Sequence, residues 1–161
     1  MLFDAVLAGV LLSVWLCAMI LLSFRHSPRL WLHHFPREMQ ALVPPKTAAE
    51  NRSSLLWALP TTGSMILVPL LAALAGNGEH NFGYLQAFCF IWVCLQMFNL
   101  IDLVILDWLV FVWWHPSFMQ LDGASSALQH NTYWFHFVGF AKGLLIGTVA
   151  AAVLALPFLW L

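Results

Sequence analysis

The chain has 161 residues, of which 62% are hydrophobic and 8% charged, and its mean hydropathy is +0.85. A water-soluble domain carries about 25% charged residues, so this composition belongs to an integral membrane protein. The formal charge of −1 offers no basic field for nucleic acid, and Cys17, Cys89 and Cys94 lie in apolar runs without a CxxC pair, against a redox motif or a disulfide scaffold.

Leu2 to Phe24 is apolar apart from Asp4 and long enough to cross a hydrocarbon core of about 30 Å. It has no positive n-region and no small-x-small cleavage site, so it reads as a retained first helix. Arg25 to Ser53 then holds Arg25, Arg29, Arg37, Lys46 and Arg52, five of the six basic residues. The positive-inside rule assigns this loop to the cytoplasm and the N-terminus to the outside. Its centre, Leu30 to Gln40, mixes large apolar side chains with charges and suits an interfacial elbow among lipid headgroups. Pro44-Pro45 ends the elbow, and Thr47-Ala48-Ala49-Glu50 is a capping-box signature for a second helix.

That helix is interrupted by Pro60-Thr61-Thr62-Gly63-Ser64 and again by Pro69. Proline removes a backbone donor and frees a carbonyl one turn earlier. The segment reads either as an ordinary kink with self-satisfied hydroxyls or as an opened turn lining a polar site. Ala75 to Asn81 is a short external turn without Lys or Arg. Phe82 to Trp114 has no breaker, and as a single α-helix it would be about 50 Å long, so it must tilt, bend or project. His115 to Thr132 is a cytoplasmic loop with an Asp122-Gly123 turn signal and a Ser125-Ser126 pair, and Asn131 or Thr132 can cap the last helix. The expected fold is all-α: one transmembrane domain, a four-helix bundle with helices at about 2–24, 48–75, 82–114 and 133–161 and both termini outside. Nine tryptophans suit aromatic belts at the two interfaces.

The last helix carries Gly139, Gly143, Gly147, Ala151 and Ala155 at four-residue spacing. Such a row lets another backbone approach closely in lipid. The neighbour is the third helix, the first helix, or, through Gly139, Gly143 and Gly147, a second protomer or partner membrane protein.

Ionisable groups at membrane depth mark functional sites or buried pairs. Asp107 lies seven residues before Trp114, Lys142 nine residues after Tyr133, and Pro60 to Ser64 begins six past Ser54. At 1.5 Å per residue all three fall about 9–13 Å from the cytoplasmic end. Asp107 is therefore expected to pair with Lys142, with Thr61, Thr62 or Ser64 nearby. On an α-helical wheel Gln96, Asn99, Asp102 and Asp107 share one side of the third helix. Asp102 lies deeper and needs a donor or a proton, so it is the carboxyl expected to hold one. Of the histidines, His26, His33, His34, His115, His130 and His136 cluster at the cytoplasmic side and only His80 lies outside. His136 shares the azimuth of Gly143 and Gly147 and should point into a helix contact. A metal or haem site would combine His115, His136 and a carboxylate, but no HxxxH or HExxH spacing supports one, and the sequence names no cofactor. A Ser64–Lys142 dyad has only polarity in its favour.

Asn-Leu-x-Asp-Leu-x-x-Leu-Asp-Trp at Asn99 to Trp108, followed by Phe135-His136-Phe137-x-Gly139-Phe140-x-Lys142-Gly143, resembles a group of small four-span bacterial membrane proteins of no known activity. The resemblance implies a bacterial cytoplasmic membrane location and nothing about chemistry. The four-span plan is also similar to that of the trimeric membrane glutathione and eicosanoid enzymes, but their Arg/Asn/Glu pattern in the second helix is missing here. The leading functional reading is a membrane protein that binds or moves a proton, cation or small solute at Asp102, Asp107 and Lys142, with Asn99, His136, His115, Thr61, Thr62 and Ser64 as further site candidates. The alternatives are an intramembrane enzyme acting on a lipid or other hydrophobic substrate, and a structural or accessory subunit locked together by its polar residues.

Overall fold

Inside a bilayer the backbone has no water to bond to, and a helix satisfies each N–H and C=O within its own segment. The computed structural model describes residues 1–124 and 132–161 and contains, among them, four helices long and apolar enough to span a membrane. Helix α1 covers Leu2–His26. A 3₁₀ turn at Pro28–His34 and the short α2 (Arg37–Gln40) lead to α3 (Ala48–His80). Helix α4 (Tyr84–Ile101) runs on without a break as a π-helix over Asp102–Trp114, and α5 (Tyr133–Leu154) is the last span. Ser125, Ser126, His130 and Asn131 lie outside the described residues; α5 is capped by Thr132, whose Oγ1 accepts from Phe135 N at 3.3 Å.

The capping box at the start of α3 is formed: Thr47 Oγ1 accepts from Glu50 N at 3.2 Å, and Glu50 Oε2 accepts from Thr47 N at 2.7 Å. The same carboxylate accepts from Arg29 Nε at 2.5 Å, while Arg29 Nη2 donates to Pro44 O and Pro45 O. Lys46 Nζ donates to Leu30 O and to Ser54 Oγ. Two of the three basic residues between α1 and α3, Arg29 and Lys46, thus tie the connection to the first turns of α3.

Helix α3 continues through both prolines. Thr61 Oγ1 lies 2.9 Å from Ala58 O and 3.0 Å from Trp57 O, and Ser64 Oγ donates to Pro60 O at 2.6 Å. The hydroxyls satisfy their own helix, so the opened turn considered from sequence is not formed. The helix also outruns its expected end at 75. Asn81 takes the left-handed conformation (φ 49°) that ends it, and Asn77 Oδ1 accepts from Phe82 N at 2.5 Å. At the other extreme α5 stops at Leu154, short of 161, because Pro157 has no N–H to continue it and sits in the first turn of a 3₁₀ segment, Leu156–Leu159.

Helices α1 and α4 form the central pair, with α3 against α1 and α5 against α4. Gly9 brings α1 onto α4: a Cβ there would stand 2.7 Å from Met97 Cβ and 2.9 Å from Cys94 O. The four spans meet at one end, where Ala5, Ala73, Ile91 and Ala151 are buried together. Small side chains on three of the spans allow that convergence. At the opposite end Phe24 of α1 packs with Phe35, Met39 and Val110, and α3 and α5 stand apart, making no extended contact.

The row of small residues on α5 is used by α4 of the same chain. A Cβ on Gly143 would collide with the Asn99 amide, and one on Gly147 would lie 2.6 Å from Gln96 Nε2. Gln96 Nε2 donates to Leu144 O at 3.4 Å and Asn99 Nδ2 to Phe140 O at 3.1 Å; Trp92 Nε1 donates to Thr148 Oγ1 at 2.9 Å. Gly143 and Gly147 are therefore covered within the chain. Gly139 is not: nothing lies within 4 Å of a Cβ placed there.

A cavity between the second and fourth spans

The separation of α3 from α5 leaves a cavity of about 1200 Å³. Leu16, Met65 and Phe98 close its inner end, and His33, His34, Arg37 and Gln40 from the α1–α3 connection line its polar end. Thr61 and Thr62 stand on the α3 wall, His136, Gly139 and Lys142 on the α5 wall, and Asn99, Asp102 and Asp107 at the back. The aromatic rings of Phe24, Trp31, Phe35 and Phe111 pack beside the polar end, with centroids 5.0–6.3 Å apart.

The π-helix brings the two carboxyls onto this space. In an α-helix, residues five apart are turned by about 140° from one another. The i→i+5 bonding of a π-helix takes more residues per turn, so five residues come much closer to a full revolution. Asp102 and Asp107 accordingly line one cavity. The α-helical wheel puts Asp107 beside Gln96; the wider winding changes that azimuth.

Asp107 is paired with His136, Oδ1 to Nδ1 at 2.8 Å, and not with Lys142. The side chains are 21% and 10% exposed, so the contact is mostly shielded from solvent. His136 also packs its ring on Phe111, centroids 5.9 Å apart. Lys142 lines the cavity and makes no hydrogen bond or ion pair among the described residues. It stands six residues beyond His136, which turns it about 120° away on an α-helix. The two side chains cannot both face Asp107.

Other candidates separate in the same way. Asn99 lines the cavity, but its amide is committed to Phe140 O and Gln96 Oε1. Thr61 lines it with its hydroxyl turned to its own helix. Asp102 finds no donor in either and has no hydrogen-bond partner among the described residues. Ser64 lies elsewhere, accepting from Trp15 Nε1 at 3.0 Å, so no Ser64–Lys142 dyad forms. His115 sits at the left-handed turn after the π-helix (φ 48°), away from this cavity and beside Phe111, Pro116 and Met119. It does not join His136. Among the described residues no three His, Cys, Asp or Glu side chains come close enough to hold a metal. Arg37, Gln40, His33 and His34 are among the polar lining residues that sequence reasoning did not place at the site. Their mixed apolar and charged setting, read as headgroup contact, was the available signal.

The polar end has its own electrostatics. The His33 and His34 rings lie 4.2 Å apart. Packing of the elbow around it, with His33 and Lys46 nearby, holds the His34 imidazole down to about 4, although the side chain is exposed where it lines the cavity. Burial and then Lys46 lower His33 as well, and burial lowers Lys46. A depressed histidine favours the neutral folded form, so its contribution is complete above the unfolded value near 6.5 and is lost as pH falls towards about 4. Imidazole NMR should find His34 neutral at pH 5, and hydrogen exchange over Pro28–Gln40 should accelerate between pH 6.5 and 4. An ordinary titration near 6.5 would contradict this packing.

Comparison of the chain with protein-family models, curated proteins and solved structures finds no match.

Proposed function

We propose that this integral membrane protein binds an amphiphile dissolved in the bilayer, admitted sideways between α3 and α5. The apolar part lies against Leu16, Met65 and Phe98, and the polar part lies towards Arg37, His34 and the Asp107–His136 pair. By the positive-inside rule this polar end faces the cytoplasm and both termini lie outside. The observation that carries the reading is the cavity itself. Drug-sized ligands occupy roughly 300–1,000 Å³, and a proton or cation needs only a file of polar groups. A space of about 1200 Å³, apolar at one end and ionisable at the other, suits a lipid-like molecule.

A second reading, catalysis on the bound amphiphile, is favoured by the Asp107–His136 contact, since a carboxylate that orients an imidazole is a common arrangement for proton transfer.

Gly139→Phe tests the binding. Nothing lies within 4 Å of a Cβ at this position and the residue lines the cavity, so the variant should fold and fill the space. Gly63→Phe is the control, because Gly63 also has open space around it but does not line the cavity. Native mass spectrometry from nanodiscs should show lipid retained by wild type and Gly63→Phe and lost from Gly139→Phe. Equal retention by all three would end the proposal.

A further inference from the structure

Of the six basic residues, Arg29 is bound by Glu50 and by backbone carbonyls, and Lys46 by Leu30 O and Ser54. Arg25, Arg37, Arg52 and Lys142 make no hydrogen bond or ion pair among the described residues. Two of these four, Arg37 and Lys142, line the cavity. The acidic side is different. Asp107 is met by His136, and Asp102 is the one lining carboxyl without a partner among the described residues. The groups on the cavity wall without a hydrogen bond or ion pair among the described residues are therefore two cations and one carboxyl; Asp107 keeps its charge beside a neutral His136, so the wall is net positive when Asp102 holds a proton or His136 gains one.

An ammonium held within a membrane span without a counter-charge is costly, and such groups pair with one another or with a ligand. Arg37 adds a planar fork suited to a phosphate or carboxylate. We propose that the occupant of the cavity is an anionic bilayer lipid, with its charged head neutralised by Arg37 at the polar end and by Lys142 on the α5 wall. This inference rests on the reading of the cavity as an amphiphile site and adds the sign of the head.

The test uses the full chain in nanodiscs of equimolar phosphatidylglycerol and phosphatidylcholine, with retained lipid identified by native mass spectrometry. Wild type should retain the anionic lipid preferentially. Arg37→Gln and Lys142→Gln change exposed side chains that make no hydrogen bond or ion pair among the described residues, so they should fold, and each should lower the retained anionic-to-zwitterionic ratio about tenfold, the loss of one charge-assisted contact. Lys142→Arg keeps the charge and should keep the preference. An unchanged ratio in the Arg37→Gln, Lys142→Gln double variant overturns the inference while leaving the cavity reading intact. Loss of the preference in excess inorganic phosphate would replace the lipid with a phosphate-ion site and overturns it too. Equal lipid retention by wild type and Gly139→Phe overturns the cavity reading and this inference with it.

Discussion

Gly9→Ala is expected to destabilise the protein by about 1–3 kcal/mol, the usual cost of forcing an extra methyl into a filled contact. The added carbon would stand 2.9 Å from Cys94 O and 3.1 Å from Cys94 Cα, both backbone atoms of α4, and 2.7 Å from Met97 Cβ. None of these is the flexible end of a side chain, so α1 and α4 must move apart as bodies. The loss reaches the whole bundle, because Leu12 and Leu16 on the same helix are buried against Cys94 and Phe98. Gly63→Ala is the matched control: open space surrounds it, and alanine is the better helix former by about 1 kcal/mol. Unfolding of both variants in detergent or bicelles should separate them in opposite directions from wild type. A Gly9→Ala protein as stable as wild type would show that the α1–α4 approach is looser than described.

Asp107→Ala should cost about 1–3 kcal/mol, since it removes the oxygen that faces His136 Nδ1 at 2.8 Å where the His136 side chain is only 10% exposed. Asp107→Asn keeps an acceptor oxygen at the same reach and should cost less. In a double-mutant cycle with His136→Phe, which preserves the ring against Phe111, the coupling should be about 1 kcal/mol, within the range of polar contacts inside membranes. The parallel cycle with Lys142→Met should give a coupling near zero. That contrast is the sharper half of the prediction: strong coupling to Lys142 and none to His136 would reverse the assignment of the partner.

The reach and the failure of sequence reasoning meet at Asp107. Its position in an apolar run marks it as a group that needs a partner, and depth counting groups it with Lys142, Thr61 and Thr62, which line the same cavity. Depth alone matches Asp107 to Lys142, because it ranks residues by height and not by the face of α5 they present, while His136 is the α5 side chain that meets the carboxylate; nor does anything in Asp102-Leu103-Val104-Ile105-Leu106-Asp107 announce a π-helix. His136 was read as pointing into a helix contact, which it does; its neighbour there is the carboxylate. The Thr47–Glu50 box was legible because its two bonds are local. The small-residue row was legible as a packing surface, but not as two surfaces. Gly143 and Gly139 are alike in sequence and differ only in what stands opposite, the Asn99 amide for one and open space for the other. The cavity had no local signal, since it arises from two helices that fail to meet.

The π-helical half of the third span also bears on its fit to the bilayer. Wound entirely as an α-helix, the 31 residues from Tyr84 to Trp114 would extend about 46 Å, well past a hydrocarbon core of about 30 Å. Looser winding places more residues in each turn and so shortens the axial advance of every residue over Asp102–Trp114. Length is traded for girth. The segment that turns its carboxylates inward thereby shortens itself, and part of the mismatch that would otherwise be taken up by tilt or by thickening of the surrounding lipid is absorbed in the winding of the helix.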